Sequence, residues 1–171
     1  MEVYTAFDLS GPMNTGISRV VDDSNAEADG TGVKPGTGVR DTDNSKEALR
    51  NQVVQLAKSH VGGKYVYGGT SFKTGIDCSA FVQAIYRQVG ISIPRTTTTQ
   101  WAGLYKKYQV TNPTTETLKK GDLIYYNANN THVAMYIGNG KICHASNARD
   151  GIKISPTWNY TKVYGVLRPI Q

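Results

Sequence analysis

Two thiols and three imidazoles carry most of the chemical capacity of this 171-residue chain. Cys78 is the most informative of them. It stands between Asp77 and Ser79 at the expected start of a helix, where unpaired N–H groups and the positive end of the helix dipole favour thiolate over thiol. A thiolate is a strong nucleophile, and the same N–H groups can hold an oxyanion after attack on a carbonyl. The plainer reading is packing: free cysteines are commonly buried, and Cys78 extends the apolar seam Phe81, Val82, Ile85 and Val89 of its own helix.

A thiolate nucleophile needs a base. His132 opens an expected strand directly after the polar turn NANNT, a place from which a side chain can be aimed into a cleft. His144 stands near the far end of the next strand and can orient His132 and fix its tautomer. His60 falls in line with the apolar face of the first helix and is read as packing, or as a partner of that helix's C-terminal dipole. Cys143 adjoins His144 in a strand, so the two point to opposite faces; Cys143 is read as a small buried hydrophobe and not as a disulfide partner of Cys78. One geometric condition stands over this set. A two-residue Asn139-Gly140 turn pairs Gly138 with Lys141, faces His144 with Met135, and puts His132 and His144 on opposite faces. Joint action of the two imidazoles therefore requires a bulge, strong strand bending or another register.

The elements that must position these residues follow from periodicity. A first helix is expected from Asn44, three residues before Glu47 in capping-box spacing, with Leu49, Val53, Leu56, Ala57 and His60 on one face. Gly62-Gly63 stops it. Tyr65 to Tyr67 is extended, and Gly68-Gly69 forces a tight turn. The second helix starts at Asp77 or just after and stops at Gly90; a shorter one covers 97–108 with Trp101, Leu104 and Tyr108. Strands are expected at 123–128, 132–138, 141–146, 151–155 and 162–168, with Asn139-Gly140 as the hairpin turn. Helices first and strands later indicate an α+β fold on an antiparallel sheet.

The formal charge of +6 hides an asymmetry. Residues 1–45 hold three basic and eight acidic residues, net −5; residues 46–171 hold sixteen basic and five acidic, net +11. Residues 9–44 are rich in Gly, Ser, Thr, Asn and Asp, with no apolar period, and cannot bury enough surface to offset their ordering entropy. Residues 1–44 are read as a flexible linker or tail, and 45–171 as the folded domain; the rival is a propeptide or a strip docked on the basic domain by charge. The opening MEVYTAFDL has room for one short strand or helix turn and lacks the basic start and apolar run of a signal peptide.

Several classes drop out. There is no apolar run long enough to span a membrane. The Cys and His spacings do not fit a zinc site, no glycine-rich nucleotide loop opens a helix, and the basic residues form no longer run than a pair and no nucleic-acid recognition helix. The charge of the domain nevertheless attracts polyanions, which keeps a non-enzymatic module binding an anionic polymer as an alternative.

In order along the chain, Tyr65-Val-Tyr-Gly-Gly69, Asp77-Cys-Ser-Ala-Phe-Val82, Pro94-Arg95-Thr, Gly121-Asp122-Leu, His132-Val-Ala-Met-Tyr-Ile-Gly138 and His144-Ala resemble the NlpC family of bacterial cell-wall cysteine peptidases. The resemblance covers residues 46–171. It implies a papain-like fold with N-terminal helices packed on an antiparallel sheet of five or six strands. It implies a triad in which Cys78 is the nucleophile, His132 the base and His144 the orienting residue. Tyr65 matches a tyrosine that lines the site and can donate to the oxyanion. Asp77 and Ser79 match positions on the substrate side of the nucleophile, which help bind a free amine in members that need one, and Arg95 matches an arginine near the groove. Tyr67 stands where many members have Trp. The implied activity is hydrolysis of peptidoglycan stem peptides between D-γ-glutamyl and the diamino acid, with no metal and no organic cofactor; a CHAP-like wall amidase is the enzymatic alternative. The implied setting is extracellular or in the wall, as a monomer derived from a longer secreted protein. The linker composition is similar to that of the endopeptidase half of two-domain wall hydrolases of conjugative elements, whose first domain is a muramidase.

Overall fold

A computed structural model describes residues 39–171. The readings of residues 1–38, as a tail and as a possible short opening element, lie outside the described residues. Helix α1 spans Val39–Ser59 and so begins ahead of the expected Asn44. The stretch from 39 to 48 contains neither Gly nor Pro, so nothing interrupts the helix there, and Asn44 sits inside it rather than at its cap. The boundary drawn at residue 44 therefore falls within a helix. Val53, Val54 and Ala57 of α1 are buried, with Leu49 and Leu56 packed beside them.

After α1 the chain forms a two-stranded hairpin that periodicity did not indicate, β1 (Thr70–Ser71) and β2 (Gly75–Ile76). Tyr65 bridges to Ile76 beside it. A Cβ at Gly69 would lie 2.4 Å from the Gly75 carbonyl oxygen, so only glycine allows this close approach.

Helix α2 spans Cys78–Gln88. Asp77 caps it by accepting the Ala80 N–H at 2.8 Å, which satisfies one of the orphan donors of the first turn. Gly90 ends it at φ +78°: the Ile91 N–H donates to Tyr86 O and the Gly90 N–H to Arg87 O, a complete Schellman closure. Helix α3 spans Thr97–Tyr108 under a Thr96–Thr99 capping box.

The remaining strands are β3 (Leu123–Tyr126), β4 (His132–Gly138), β5 (Lys141–Asn147), β6 (Gly151–Ser155) and β7 (Val163–Leu167). They make one antiparallel sheet in the order β6-β5-β4-β3-β7. One face, with Leu123, Tyr125, Val133, Met135 and Cys143, packs against α1 and α2. The other, with Ile124, Tyr126, Ala134, Tyr136 and Ile142, is covered by Leu118 and Trp158. Fully buried Asp122 anchors the C-terminal end of the chain, accepting from Arg168 Nε at 2.8 Å and Nη2 at 2.7 Å. Arg50 of α1 approaches the same carboxylate at 4.0 Å.

The register resolves the condition on the two histidines. Gly138 pairs with Lys141 across the Asn139-Gly140 turn, as expected, but Tyr136 pairs with Ile142 and Met135 with Cys143. Ile137 is therefore an extra residue in β4, a bulge that shifts the register by one. The shift places His144 opposite the Ala134 side of the ladder, on the face that His132 shares.

Candidate active site

Cys78 is the first residue of α2 and lies in the helix-side core, with 7% of its surface exposed. Cys143 and His144 point to opposite faces, as expected, and it is Cys143, not His144, that shares the helix-side cluster with Cys78, because α2 packs on that face. Cys143 is fully buried, its thiol 3.5 Å from the Ala57 carbonyl, and both cysteines are free. Burial pushes the Cys143 thiol up to about 12, which suits a packing role.

The link between Cys78 and the histidines is the start of β4. Asn129, Asn130 and Thr131 line one groove with Cys78, the Val133 N–H favours the thiolate of Cys78, and His132 lies between them in the chain. His132 Nε2 and His144 Nδ1 are 2.7 Å apart, and His144 Nε2 lies 2.9 Å from Ser155 Oγ. Among the described residues no hydrogen bond joins the Cys78 sulfur to His132. The imidazoles sit in an aromatic box, with Tyr126 against His132 at 5.9 Å between ring centres and Tyr160 against His144 at 6.1 Å.

The charge states follow from this packing. Burial lowers His132 to about 4 and His144 to about 3, the latter helped by the neighbouring His132 and Lys153. Both rings are neutral at neutral pH. Burial also raises the Cys78 thiol; the N–H groups of Val133, Ser79 and Cys78 itself pull the other way without prevailing. Burial and the Asp77 carboxylate thus move the Cys78 thiol in the direction opposite to the one expected from the helix start.

Tyr65, Asp77, Cys78, Ser79 and Arg95 all line one groove of about 750 Å³. Asp77 accepts from Arg95 Nη2 at 2.7 Å and Nη1 at 3.0 Å, and Arg95 Nη1 also donates to Ser79 Oγ at 2.9 Å. Burial alone would raise the Asp77 carboxyl; the Arg95 guanidinium and the Ala80 N–H overcome it and hold the group below the usual carboxylate range. Burial and nearby Cys78 raise Tyr65, so its phenol keeps its proton and remains a donor. His60 stays apart from the site: it stacks on Phe72 at 3.5 Å, a packing role as expected.

Sequence reasoning missed Gln100, Tyr160 and Ser155. Gln100 is fully buried; its Nε2 donates to Ser79 O and Pro94 O, and its Oε1 accepts from Tyr125. It thus ties α3 to the peptide beside Cys78. A polar residue next to Trp101 in an apolar helix face was the available signal. Tyr160 and Ser155 had none, because their roles depend on sheet register and loop path.

A cysteine opening a helix that packs on an antiparallel sheet, with a histidine on the facing strand, defines a papain-like domain. The NlpC/P60 family pattern matches residues 62–165, and the chain belongs to that family. It is 46% identical over 96 residues to a probable endopeptidase NlpC homolog of Haemophilus influenzae, covering 56% of this chain and 48% of that protein. It is 33% identical over 140 residues to a gamma-D-glutamyl-L-lysine dipeptidyl-peptidase of Bacillus cereus, covering 78% and 40%. Among solved structures, an NlpC/P60 family protein from Bacillus cereus matches with TM-score 0.63 at 33% identity, over 71% of this chain and 40% of that one. The peptidoglycan hydrolase RipB of Mycobacterium tuberculosis matches with TM-score 0.63 at 26% identity, over 79% and 73%. The chain spans less than half the length of the two relatives named first.

Proposed function

We propose that this domain is a cysteine endopeptidase of peptidoglycan stem peptides, cutting between D-γ-glutamyl and the diamino acid. The observation that carries the reading is the 2.7 Å His132–His144 pair at the start of the strand whose lead-in, Asn129, Asn130 and Thr131, lines the same groove as Cys78. His132 bonds His144 through Nε2, which leaves Nδ1 to take the thiol proton. The sulfur attacks the γ-carbonyl carbon, and the carbonyl oxygen becomes an oxyanion facing the α2 N–H groups and the Tyr65 hydroxyl. The imidazolium returns its proton to the departing amine as the C–N bond breaks. Water, deprotonated by His132, then hydrolyses the thioester and regenerates the thiol.

The γ-glutamyl preference rests on relatives: the Bacillus cereus peptidase and a gamma-DL-glutamyl hydrolase of Bacillus subtilis, 35% identical over 112 residues. The groove bears on the mode of attack. Asp77 is already matched by Arg95 and by two backbone N–H groups, so it offers no uncompensated carboxylate to a substrate amine. This favours an endopeptidase that accepts stem peptides with a blocked N-terminus over an enzyme requiring a free amine. Digestion of two defined muropeptides, one with a free and one with an acylated L-alanine, tests this by product mass. Both are expected to give fragments ending in D-glutamate. Cleavage of the free-amine peptide alone would contradict the endopeptidase reading, and a cut between sugar and L-alanine would favour the CHAP-like amidase. The +11 of residues 46–171 supports attraction to the anionic wall as the mode of encounter, and the working setting is extracellular or at the wall, as a monomer.

A further inference from the structure

We propose that Ser155 is a positioning residue for the reaction: its hydroxyl, as acceptor from His144 Nε2–H, holds both imidazoles in the one pair of tautomers that leaves His132 Nδ1 free to act as base. The inference rests on the triad reading above and extends it by one residue.

The ring hydrogens of the two imidazoles can be counted. Only 2.7 Å separates His132 Nε2 from His144 Nδ1, so one hydrogen lies between them. Two neutral rings carry one N–H each. If the shared hydrogen belongs to His132 Nε2, its Nδ1 is bare and competent as a base. His144 must then carry its own hydrogen on Nε2 and donate it over the 2.9 Å to Ser155 Oγ. If the shared hydrogen belongs to His144 Nδ1, then His132 carries its hydrogen on Nδ1 and cannot take the thiol proton, and Ser155 must donate to His144 Nε2. The two rings switch together, and the direction of the Ser155 hydroxyl reports which state is present.

Ser155 holds this place because of strand pairing. In the β5–β6 ladder Ile142 pairs with Ser155 and His144 with Lys153, so Ser155 is the diagonal neighbour of His144 on the same face. The charged groups that face His144 are Lys153 and Asp150, and they are paired with each other at 2.6 Å. The remaining neighbours are the His132 and Tyr160 rings. Among the described residues Ser155 is the one hydrogen-bond partner of His144 Nε2.

The experiment is long-range ¹⁵N–¹H correlation of the ring nitrogens in the resting protein at neutral pH, joined to steady-state kinetics on a soluble muropeptide. The wild type is expected to show both histidines protonated at Nε2. Ser155→Ala is expected to populate the second tautomer pair and to lower kcat about two- to tenfold, the worth of one hydrogen bond, with KM unchanged; Ser155→Thr, which keeps the hydroxyl, is expected to restore both. Protonation of His144 at Nδ1 in the wild type would overturn the proposal, as would wild-type tautomers and kcat in Ser155→Ala. The wild-type spectrum decides even if the alanine variant fails to fold. It also decides whether or not Cys78 proves to be the nucleophile, so failure of the triad and failure of the Ser155 role give different results.

Discussion

A neutral imidazole is the form of His132 that can take a proton, and burial keeps it so across the physiological range. On the proposed mechanism, His132→Ala is expected to lower kcat by about 10²–10⁴-fold, with the fold intact by circular dichroism. Cys143→Ser should keep its turnover, because that thiol faces Ala57 in the core; its cost is about 1–3 kcal/mol of stability for a buried hydroxyl, read by urea titration. The same burial couples the site to acid stability. His132 and His144 have an ordinary value of 6.5 and fall to about 4 and about 3 on folding. The unfolded chain therefore binds more protons between these limits. The stabilising contribution is complete above 6.5 and is lost as pH falls through 4 and 3. Unfolding near pH 5 should take up roughly two protons at these groups, measured as the slope of unfolding free energy against pH, and His144→Gln should remove about one of them. An unchanged slope in that variant would mean His144 is not held neutral by the fold. Of the residue-scale picture, the place of Cys78 at a helix start and of His132 and His144 on neighbouring strands was legible from type and position. The resting thiol was not, since the dipole argument could not weigh the desolvation that α2 suffers on packing.

At the scale of elements, the sheet decides whether the site exists. The five strands and the Asn139-Gly140 turn were legible because alternation and turn chemistry are local. The bulge at Ile137 was not: the sequence showed only that a regular hairpin would put the two histidines on opposite faces, and only the pairing shows which residue is extra. The β1–β2 hairpin was hidden for a similar reason, since two-residue strands carry no measurable period. Helix ends fared better where a glycine marks them. Gly90 closes α2 at φ +78° with nothing within 4 Å of where a Cβ would stand. Gly90→Ala should therefore cost only the left-handed backbone term, about 1–2 kcal/mol, with kcat and KM unchanged. A larger loss in urea titration, or any loss of kcat, would show that the end of α2 is coupled to its start at Cys78.

At the scale of the whole molecule, residues 46–171 carry a net charge of +11 over a groove whose own charges, Asp77 and Arg95, cancel. The excess is thus spread over the surface and acts on encounter, not on chemistry. Attraction of this kind is screened over about 10 Å at 0.1 M salt. Solubilisation of intact sacculi should slow as salt rises from 0.05 to 0.5 M, while kcat/KM on a small neutral muropeptide stays flat; equal slowing of both would place the salt effect inside the groove. The charge split was legible from counting alone, but its bearing on function came only with the site. Most direct for the central claim is digestion of a defined stem peptide by the wild type and by Cys78→Ala, with products read by mass spectrometry. The wild type should release a fragment ending in D-glutamate and one beginning with the diamino acid, and the folded Cys78→Ala protein should release neither. Cleavage by Cys78→Ala at the same bond would contradict a thiol nucleophile.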